Sequence, residues 1–257
     1  MRGKSLQLPT VRAESGGTHA CAHHFHRYIS YADEPEFSPT FRIYLSGCNF
    51  RCSFCNVAPT CFDRWSGSPA DATILARECG AALDTGARFV NLLGGEPSLH
   101  LPFILQLAAA ARRPLPLILN SNGSFSPSTR SALRGVIHTW IVDLKFGNDD
   151  CARRVARVPA YLATVTSNLL ALHADQRLHV RHLLMPGHRT CCFEPVVNWL
   201  VQHIPGARFH LMTAYVPQWR ALTDPVLGRL NPRADIRRAC AYLAAANLDW
   251  STDVQAA

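Results

Sequence analysis

The sequence predicts an α/β fold in which six parallel strands and the helices between them form a partial (β/α)6 barrel. Six short apolar runs alternate with helical patterns along most of the 257 residues. Such alternation is typical of a parallel sheet covered by helices. A closed eight-unit barrel takes about 250 residues by itself, so six units fit this chain better.

The predicted strands are short runs of mostly apolar residues, bounded by turn-forming residues. They are expected at Phe41–Leu45, Phe89–Leu93, Leu115–Leu119, Val136–Leu144, Leu178–Leu184 and Arg208–Met212. In an open parallel sheet, ligands bind beyond the carboxyl ends of the strands. Functional side chains are therefore expected in the loops that follow these six runs.

Helix start signals lie between the strands. The segment Ser68-Pro69-Ala70-Asp71 is predicted to open a helix, with a capping residue, a proline in the first turn and an acid nearby, and Ser126 is predicted to cap another. Helices are expected at 68–85, 102–112, 126–133, twice within 149–173, at 193–203 and at 233–246. Residues 1–37 carry little periodicity and are predicted to be a loose N-terminal arm, followed by a core domain over 38–257.

The composition is that of a globular protein, with 48% hydrophobic and 17% charged residues. The net charge is +8, but lysines and arginines occur singly or in pairs, so a nucleic-acid partner is not expected. No apolar run approaches the ~20 residues that span a bilayer, and no secretory signal is visible. A cytoplasmic protein without membrane contact is predicted, and its ten cysteines are expected to be free thiols or metal ligands.

The loop after the first predicted strand carries three cysteines in a C-x3-C-x2-C pattern, namely Cys48, Cys52 and Cys55. Soft thiolates suit the iron of a 4Fe–4S cluster, and three of them leave one iron open for a ligand. A zinc site with Cys61 as fourth ligand is the main alternative, because structural zinc takes four nitrogen or sulfur ligands.

This pattern resembles the signature of the radical S-adenosylmethionine (SAM) superfamily, in which an aromatic residue precedes the third cysteine, as Phe54 does here. After the second strand, Gly94-Gly95-Glu96-Pro97 resembles the family's glycine-rich element, whose backbone and glutamate meet the methionine ammonium group. Glycine permits close approach of the main chain, and a carboxylate pairs with a cation. The resemblance implies an enzyme with a partial (β/α)6 TIM-like barrel and with a 4Fe–4S cluster and SAM as cofactors.

Residues 27–222 resemble the pyruvate formate-lyase activating enzymes and their relatives. The matching segments are Asn120-Ser121-Asn122-Gly123 for the family's D-T-N-G, Asp143-Leu-Lys145 for its D-L-K, and Arg181 to Gly187 for its R-x4-P-G. The resemblance implies that Asp143 and Lys145 lie near SAM and the substrate, and that Arg181 holds the SAM carboxylate. The resemblance also implies that the cofactor site includes Asn120, Ser121 and Asn122. Asn120 stands where the family usually has Asp, so a charge is missing there.

The resemblance further implies that flavodoxin or ferredoxin supplies an electron, that SAM is cleaved, and that a 5′-deoxyadenosyl radical takes a hydrogen atom from a small-molecule or protein substrate. Cleavage of another C–S bond is an alternative. It would transfer a 3-amino-3-carboxypropyl group to a soft acceptor such as trivalent arsenic, presented by Cys191 and Cys192. Pro186 and Gly187 predict a loop there.

A non-enzymatic iron–sulfur or zinc-binding module is the second alternative. The Gly94–Pro97 segment argues against it, because an electron carrier needs no ammonium-binding turn.

Overall fold

The computed structural model of the chain describes residues 22–30, 35–175 and 177–253. Nine strands form one sheet: β1 His23–Ser30, β2 Thr40–Leu45, β3 Ser68–Pro69, β4 Phe89–Gly94, β5 Leu117–Ser121, β6 Thr139–Asp143, β7 Leu178–Leu183, β8 Arg208–Met212 and β9 Asp249–Thr252. Seven α-helices accompany them: α1 Ala72–Asp84, α2 Leu101–Ala110, α3 Pro127–Leu133, α4 Asp149–Ala156, α5 Tyr161–Asp175, α6 Glu194–His203 and α7 Arg233–Ala244.

The sheet order is β3-β1-β2-β4-β5-β6-β7-β8-β9. All neighbours from β2 to β9 are parallel, whereas β1 runs antiparallel to β2 and to β3. All six strands predicted from the sequence form, each parallel to its neighbours among them. The predicted α/β class with a helix-covered parallel sheet is therefore confirmed.

The prediction missed strands at both ends of the sheet. β1 lies inside the predicted loose arm, where it pairs with β2 over several residues, and β9 extends the sheet beyond β8. Both are partly exposed strands of largely polar sequence, so they lack the apolar period by which the other strands were found. In the arm, His24 Nδ1 donates to Ser68 O at 3.1 Å and His24 Nε2 accepts from Arg27 Nη1 at 2.7 Å, while Cys21 lies outside the described residues.

The predicted helix start at Ser68 is wrong by a few residues: Ser68–Pro69 forms β3, and α1 begins at Ala72, where the carboxylate of its N-cap Asp71 accepts the Ile74 N–H. The predicted cap at Ser126 is confirmed, since its hydroxyl accepts the Thr129 N–H at the start of α3. Buried strand residues and the inner helix faces form a continuous core. Within the described residues, no single helix is long and apolar enough to cross a bilayer. The helices α4 and α5 meet that criterion of length and apolarity only when they are taken together, and the pair is sharply bent.

Candidate active site

The loop after β2 carries Cys48, Cys52 and Cys55 and rests against the end of α4. The Arg51 N–H donates to Ala156 O at 2.9 Å, and the Ser53 N–H donates to Val155 O at 2.9 Å. Phe50 and Phe54 are buried beneath the loop. These contacts hold the three thiols at the carboxyl edge of the sheet, where the sequence predicted them.

The thiols of this loop differ in acidity. Burial raises the pKa of Cys48 and of Cys52 to about 12. A hydrogen bond with Cys61, whose sulfur lies 3.6 Å from that of Cys55, lowers the pKa of Cys55 to about 7. Cys61 is itself buried. A bound metal centre would therefore have to stabilise the thiolates of Cys48 and Cys52, while Cys55 is already close to ionisation at neutral pH.

The Gly94–Pro97 segment joins the end of β4 to the start of the cysteine loop. The Gly95 N–H donates to Leu45 O and the Glu96 N–H donates to Gly47 O, both at 2.8 Å. The approach is so close that a Cβ on Gly95 would lie 2.0 Å from Gly47 O. The glycine is therefore required for packing against the cysteine loop.

Gly95→Ala is expected to displace the cysteine loop, costing about 1–3 kcal/mol of stability through steric overlap and lowering the iron content of the purified protein. Gly80→Ala is the matched control, since Gly80 lies in α1 with nothing within 4 Å of its added Cβ. Thermal unfolding and iron analysis of the two variants measure the difference. Equal behaviour of both variants would show that the loop position does not depend on Gly95.

Glu96 is fully buried and connects the ends of β4 and β5. Its carboxylate accepts the Ser98 N–H at 3.1 Å, the Ser121 hydroxyl at 2.7 Å and the Asn122 N–H at 2.7 Å. Burial raises its pKa, and no cationic side chain among the described residues forms an ion pair with it. Since buried carboxylates are normally paired with cations, Glu96 has the surroundings expected of a group that receives a cationic ligand.

Charged side chains also meet at the ends of β5, β6 and β7. Asp143 accepts from Arg181 Nε at 2.8 Å and from Lys145 Nζ at 2.5 Å, and Arg181 also donates to Asn120 Oδ1 at 2.6 Å. Burial alone would raise the pKa of Asp143, but the Arg181 and Lys145 cations outweigh it and lower the pKa to about 2. Asp143 is therefore ionised at any physiological pH.

Two cations share one carboxylate in this network, since Arg181 and Lys145 both pair with Asp143 at the ends of β6 and β7. For Lys145, burial lowers the pKa, but the Asp143 carboxylate and the Cys52 sulfur outweigh it and raise the pKa. Cationic side chains of this kind suit an anionic ligand group beside the cysteine loop.

A second group of sulfur ligands lies on the same edge, and the sequence prediction found only half of it. Cys191 and Cys192 lie in a π-helical turn, Arg189–Phe193, between β7 and α6, in agreement with the predicted loop. Their partners are Cys151 in α4 and His188, and the ligand atoms of all four residues lie within 4.8 Å of one another. We call this set the thiol–imidazole group. Its two halves lie 40 residues apart, and no sequence signal connects them.

The sequence profile of the radical SAM superfamily matches residues 43–200, which is more than half of the chain. The chain belongs to the radical SAM superfamily. It is therefore an enzyme, and the cofactors of its family are a 4Fe–4S cluster and SAM. The matched range contains the cysteine loop, the Gly94–Pro97 segment and the charged ends of β6 and β7.

Several proteins resemble this radical SAM chain. An uncharacterized protein of Methanocaldococcus jannaschii is 28% identical over 88% of this chain and 68% of its own length. Streptococcus suis SuiB, crystallised with its precursor peptide SuiA, matches 82% of this chain with a TM-score of 0.62 at 18% identity. This chain covers only 48% of SuiB, and so spans about half its length.

A domain of pyruvate-formate lyase-activating enzyme from Bacteroides vulgatus matches 65% of this chain and 99% of its own length, with a TM-score of 0.53 at 16% identity. At such identities the two structures show a shared fold. They confirm the partial-barrel class and the predicted likeness to the activating enzymes at the level of the fold.

The residues present fit the two cofactors of the family. Three thiols on one loop match the softness of cluster iron. The buried Glu96 carboxylate, with no ion pair among the described residues, matches the ammonium group of an amino acid, and the cationic side chains at the ends of β6 and β7 match its carboxylate. This radical SAM chain therefore has donor groups for both cofactors on one edge of the sheet.

Proposed function

We propose that this enzyme cleaves SAM at a 4Fe–4S cluster held by Cys48, Cys52 and Cys55, and uses the resulting carbon radical to remove a hydrogen atom from its substrate. The observation that carries the proposal is the convergence of three thiols, one buried carboxylate and the two cationic side chains Arg181 and Lys145 at the carboxyl ends of neighbouring strands. When bound, the cluster supplies the electron that breaks a C–S bond of SAM.

The proposed roles follow from charge. Glu96 accepts the ammonium group of SAM, and Gly94 and Gly95 let the backbone approach it. Arg181, positioned by Asp143 and Asn120, binds the SAM carboxylate through its planar guanidinium. Ser121 and Asn122 orient Glu96 by donating to its carboxylate.

Lys145 and Asp143 lie nearest to the reacting groups in this proposal. The backbone N–H of Lys145 donates to the Tyr161 hydroxyl at 2.7 Å, which fixes the loop after β6. The Lys145 ammonium acts on Cys52 electrostatically and lowers the pKa of that thiol in part, against the dominant effect of burial. These two residues are proposed to hold SAM and the substrate in register beside the cysteine loop.

The test is product analysis of anaerobic, dithionite-reduced enzyme with SAM, using Cys52→Ala as the blank. The expected product is 5′-deoxyadenosine, formed above the blank. Methylthioadenosine in place of 5′-deoxyadenosine would show that the enzyme cleaves a different C–S bond, and would favour transfer of the 3-amino-3-carboxypropyl group over hydrogen abstraction. Absence of both products would overturn SAM cleavage by this chain.

Glu96→Gln removes the carboxylate charge while keeping its shape. SAM affinity is expected to fall about 10–100-fold, the loss of a charge-assisted hydrogen bond of about 1.5–3 kcal/mol. Glu78→Gln is the matched control. Glu78 lies on α1, away from the carboxyl edge, and forms an ion pair with Arg27 of β1. Equilibrium dialysis of SAM against cluster-loaded protein measures both. If the SAM affinity of Glu96→Gln were unchanged, Glu96 would not bind the ammonium group, and its role would be the structural one of connecting β4 to β5.

Flavodoxin or ferredoxin is the proposed source of the electron, and the substrate is proposed to be a small molecule or a protein. The first part of this proposal follows from membership in the family, whose enzymes need an external reductant. Electron transfer from each purified carrier, measured as 5′-deoxyadenosine formed without dithionite, tests it directly.

A further inference from the structure

The thiol–imidazole group lies where two loops meet, after β6 and after β7. Cys151 belongs to the first turn of α4, and His188, Cys191 and Cys192 belong to the turn before α6. Cys151, His188 and Cys192 are buried, while Cys191 is partly exposed. Among the described residues, it is the one group of three or more His, Cys, Asp or Glu side chains whose ligand atoms lie close enough together to hold a single metal ion.

Four of the six distances within the group match those of ligands around one tetrahedral ion, and the other two lie within 4.8 Å. The sulfur of Cys191 lies 3.8 Å from that of Cys151 and 3.9 Å from that of Cys192. Nδ1 of His188 lies 3.4 Å from both Cys191 and Cys192. Zinc binds sulfur at about 2.3 Å and imidazole nitrogen at about 2.0–2.1 Å, and a tetrahedron of such bonds separates sulfurs by about 3.8 Å and sulfur from nitrogen by about 3.5 Å.

A disulfide or a centre with several irons would fit these distances less well than a single ion. A disulfide requires an S–S distance of about 2.05 Å, and all three cysteines are free thiols. Several irons would need ligands spread over separate metals, whereas these four ligand atoms all lie within 4.8 Å of one another. Three sulfurs with one imidazole nitrogen form a ligand set typical of structural zinc.

The surroundings of the group are built to hold it. Asn148 connects its two halves, since its Nδ2 donates to Cys191 O at 2.6 Å and its Oδ1 accepts the Cys151 N–H at 2.7 Å. The loops pack without space between them, because a Cβ on Gly147 would lie 2.6 Å from Cys192 O. Arg154 Nη2 lies 3.9 Å from the Cys151 sulfur and can offset the negative charge that three thiolates leave beside a divalent ion.

We propose that Cys151, His188, Cys191 and Cys192 bind one zinc ion, in a second metal site separate from the cysteine loop. The ion fastens the first turn of α4 to the turn before α6. The last turn of α4 in turn supports the cysteine loop through Ala156 and Val155. The zinc ion thereby stabilises the helix on which the cysteine loop rests, without touching the proposed SAM groups.

The experiment uses full-length protein purified anaerobically without chelators, with its iron retained. Zinc per chain is measured by elemental analysis, and its ligands by X-ray absorption at the zinc edge, which iron does not obscure. About one zinc ion per chain is expected, with three sulfur neighbours at about 2.3 Å and one nitrogen. Cys191→Ser is expected to retain less than about one fifth of this zinc. Cys240→Ser is the matched control, since Cys240 is another partly exposed thiol, and it is expected to keep the full amount.

Three results would overturn the proposal. The first is wild-type protein with no more zinc than Cys191→Ser. The second is zinc whose absorption spectrum shows no sulfur neighbours. The third is wild-type protein that is purified without zinc and does not bind added Zn²⁺, yet binds phenylarsine oxide one to one while Cys191→Ser does not, which would make the group a site for trivalent arsenic and favour the transfer reaction. Circular dichroism and iron content of Cys191→Ser verify that it is folded.

Discussion

Replacing Cys52 by Ala is expected to abolish the brown visible absorbance of the purified enzyme and to reduce its iron from about four atoms per chain to nearly none. Cys52 is buried, and the Lys145 ammonium acts electrostatically on its sulfur. SAM cleavage is expected to become undetectable in the same variant. Visible absorbance, iron analysis and product analysis measure the three effects.

Two other thiols serve as controls for this variant. Cys79 is fully buried in α1, away from the loop, and Cys79→Ala is expected to keep its iron. Cys61→Ala removes the neighbour of Cys55, and it too is expected to retain most of the cluster. If Cys61→Ala lost as much iron as Cys52→Ala, a closed site with four cysteine ligands would replace the open-iron interpretation.

Asp143→Ala is expected to destabilise the protein by about 3–5 kcal/mol, because it leaves Arg181 and Lys145 facing each other without their shared carboxylate. In a chain of this size such a loss lowers Tm by roughly 10 °C. Asp150→Ala is the matched control, since Asp150 pairs with Arg153 on the surface of α4 with 88% of its side chain exposed. The control is expected to change stability by no more than about 0.5 kcal/mol.

The effect of Asp143→Ala is expected to depend on pH. The cations lower the pKa of Asp143 to about 2 in the folded protein, below the value of about 3.9 in the unfolded chain. Its stabilising contribution is therefore complete above about pH 4 and is lost as the pH falls toward 2. Urea unfolding of cluster-free wild type and variant at pH 7 and near pH 3 measures this. A difference that stays constant over this range would contradict the assigned ionisation.

Much of the fold was predictable because its signals are local. The central strands are buried on both faces, so they are read directly as apolar runs, and Ser126 begins a helix through a contact with the residue three positions ahead. The outer strands β1 and β9 were not predicted. Their polar residues form strands only because β2 and β8 offer unpaired backbone groups beside them.

The candidate site was predictable in part. Spacing indicated Cys48, Cys52 and Cys55 as candidate metal ligands, since three thiols within one short loop are close in any conformation of that loop. The segments after the later strands were identified by resemblance, and the parallel register then brings them to one edge. The pairing of Asp143 with Arg181, for example, follows from their position opposite each other on β6 and β7.

By itself, then, the sequence determined the α/β class, the order of its central strands and helices, and the cysteine loop, because periodicity, capping and close spacing act within a few residues. Only the tertiary structure decided which distant groups meet. Ser121 reaches Glu96 across 25 residues, and Cys151 reaches Cys191 across 40. These long-range contacts depend on strand register and on the packing of α4 against the turn before α6. Both are set by the whole sheet, so neither segment alone carries a sequence pattern that predicts the contact.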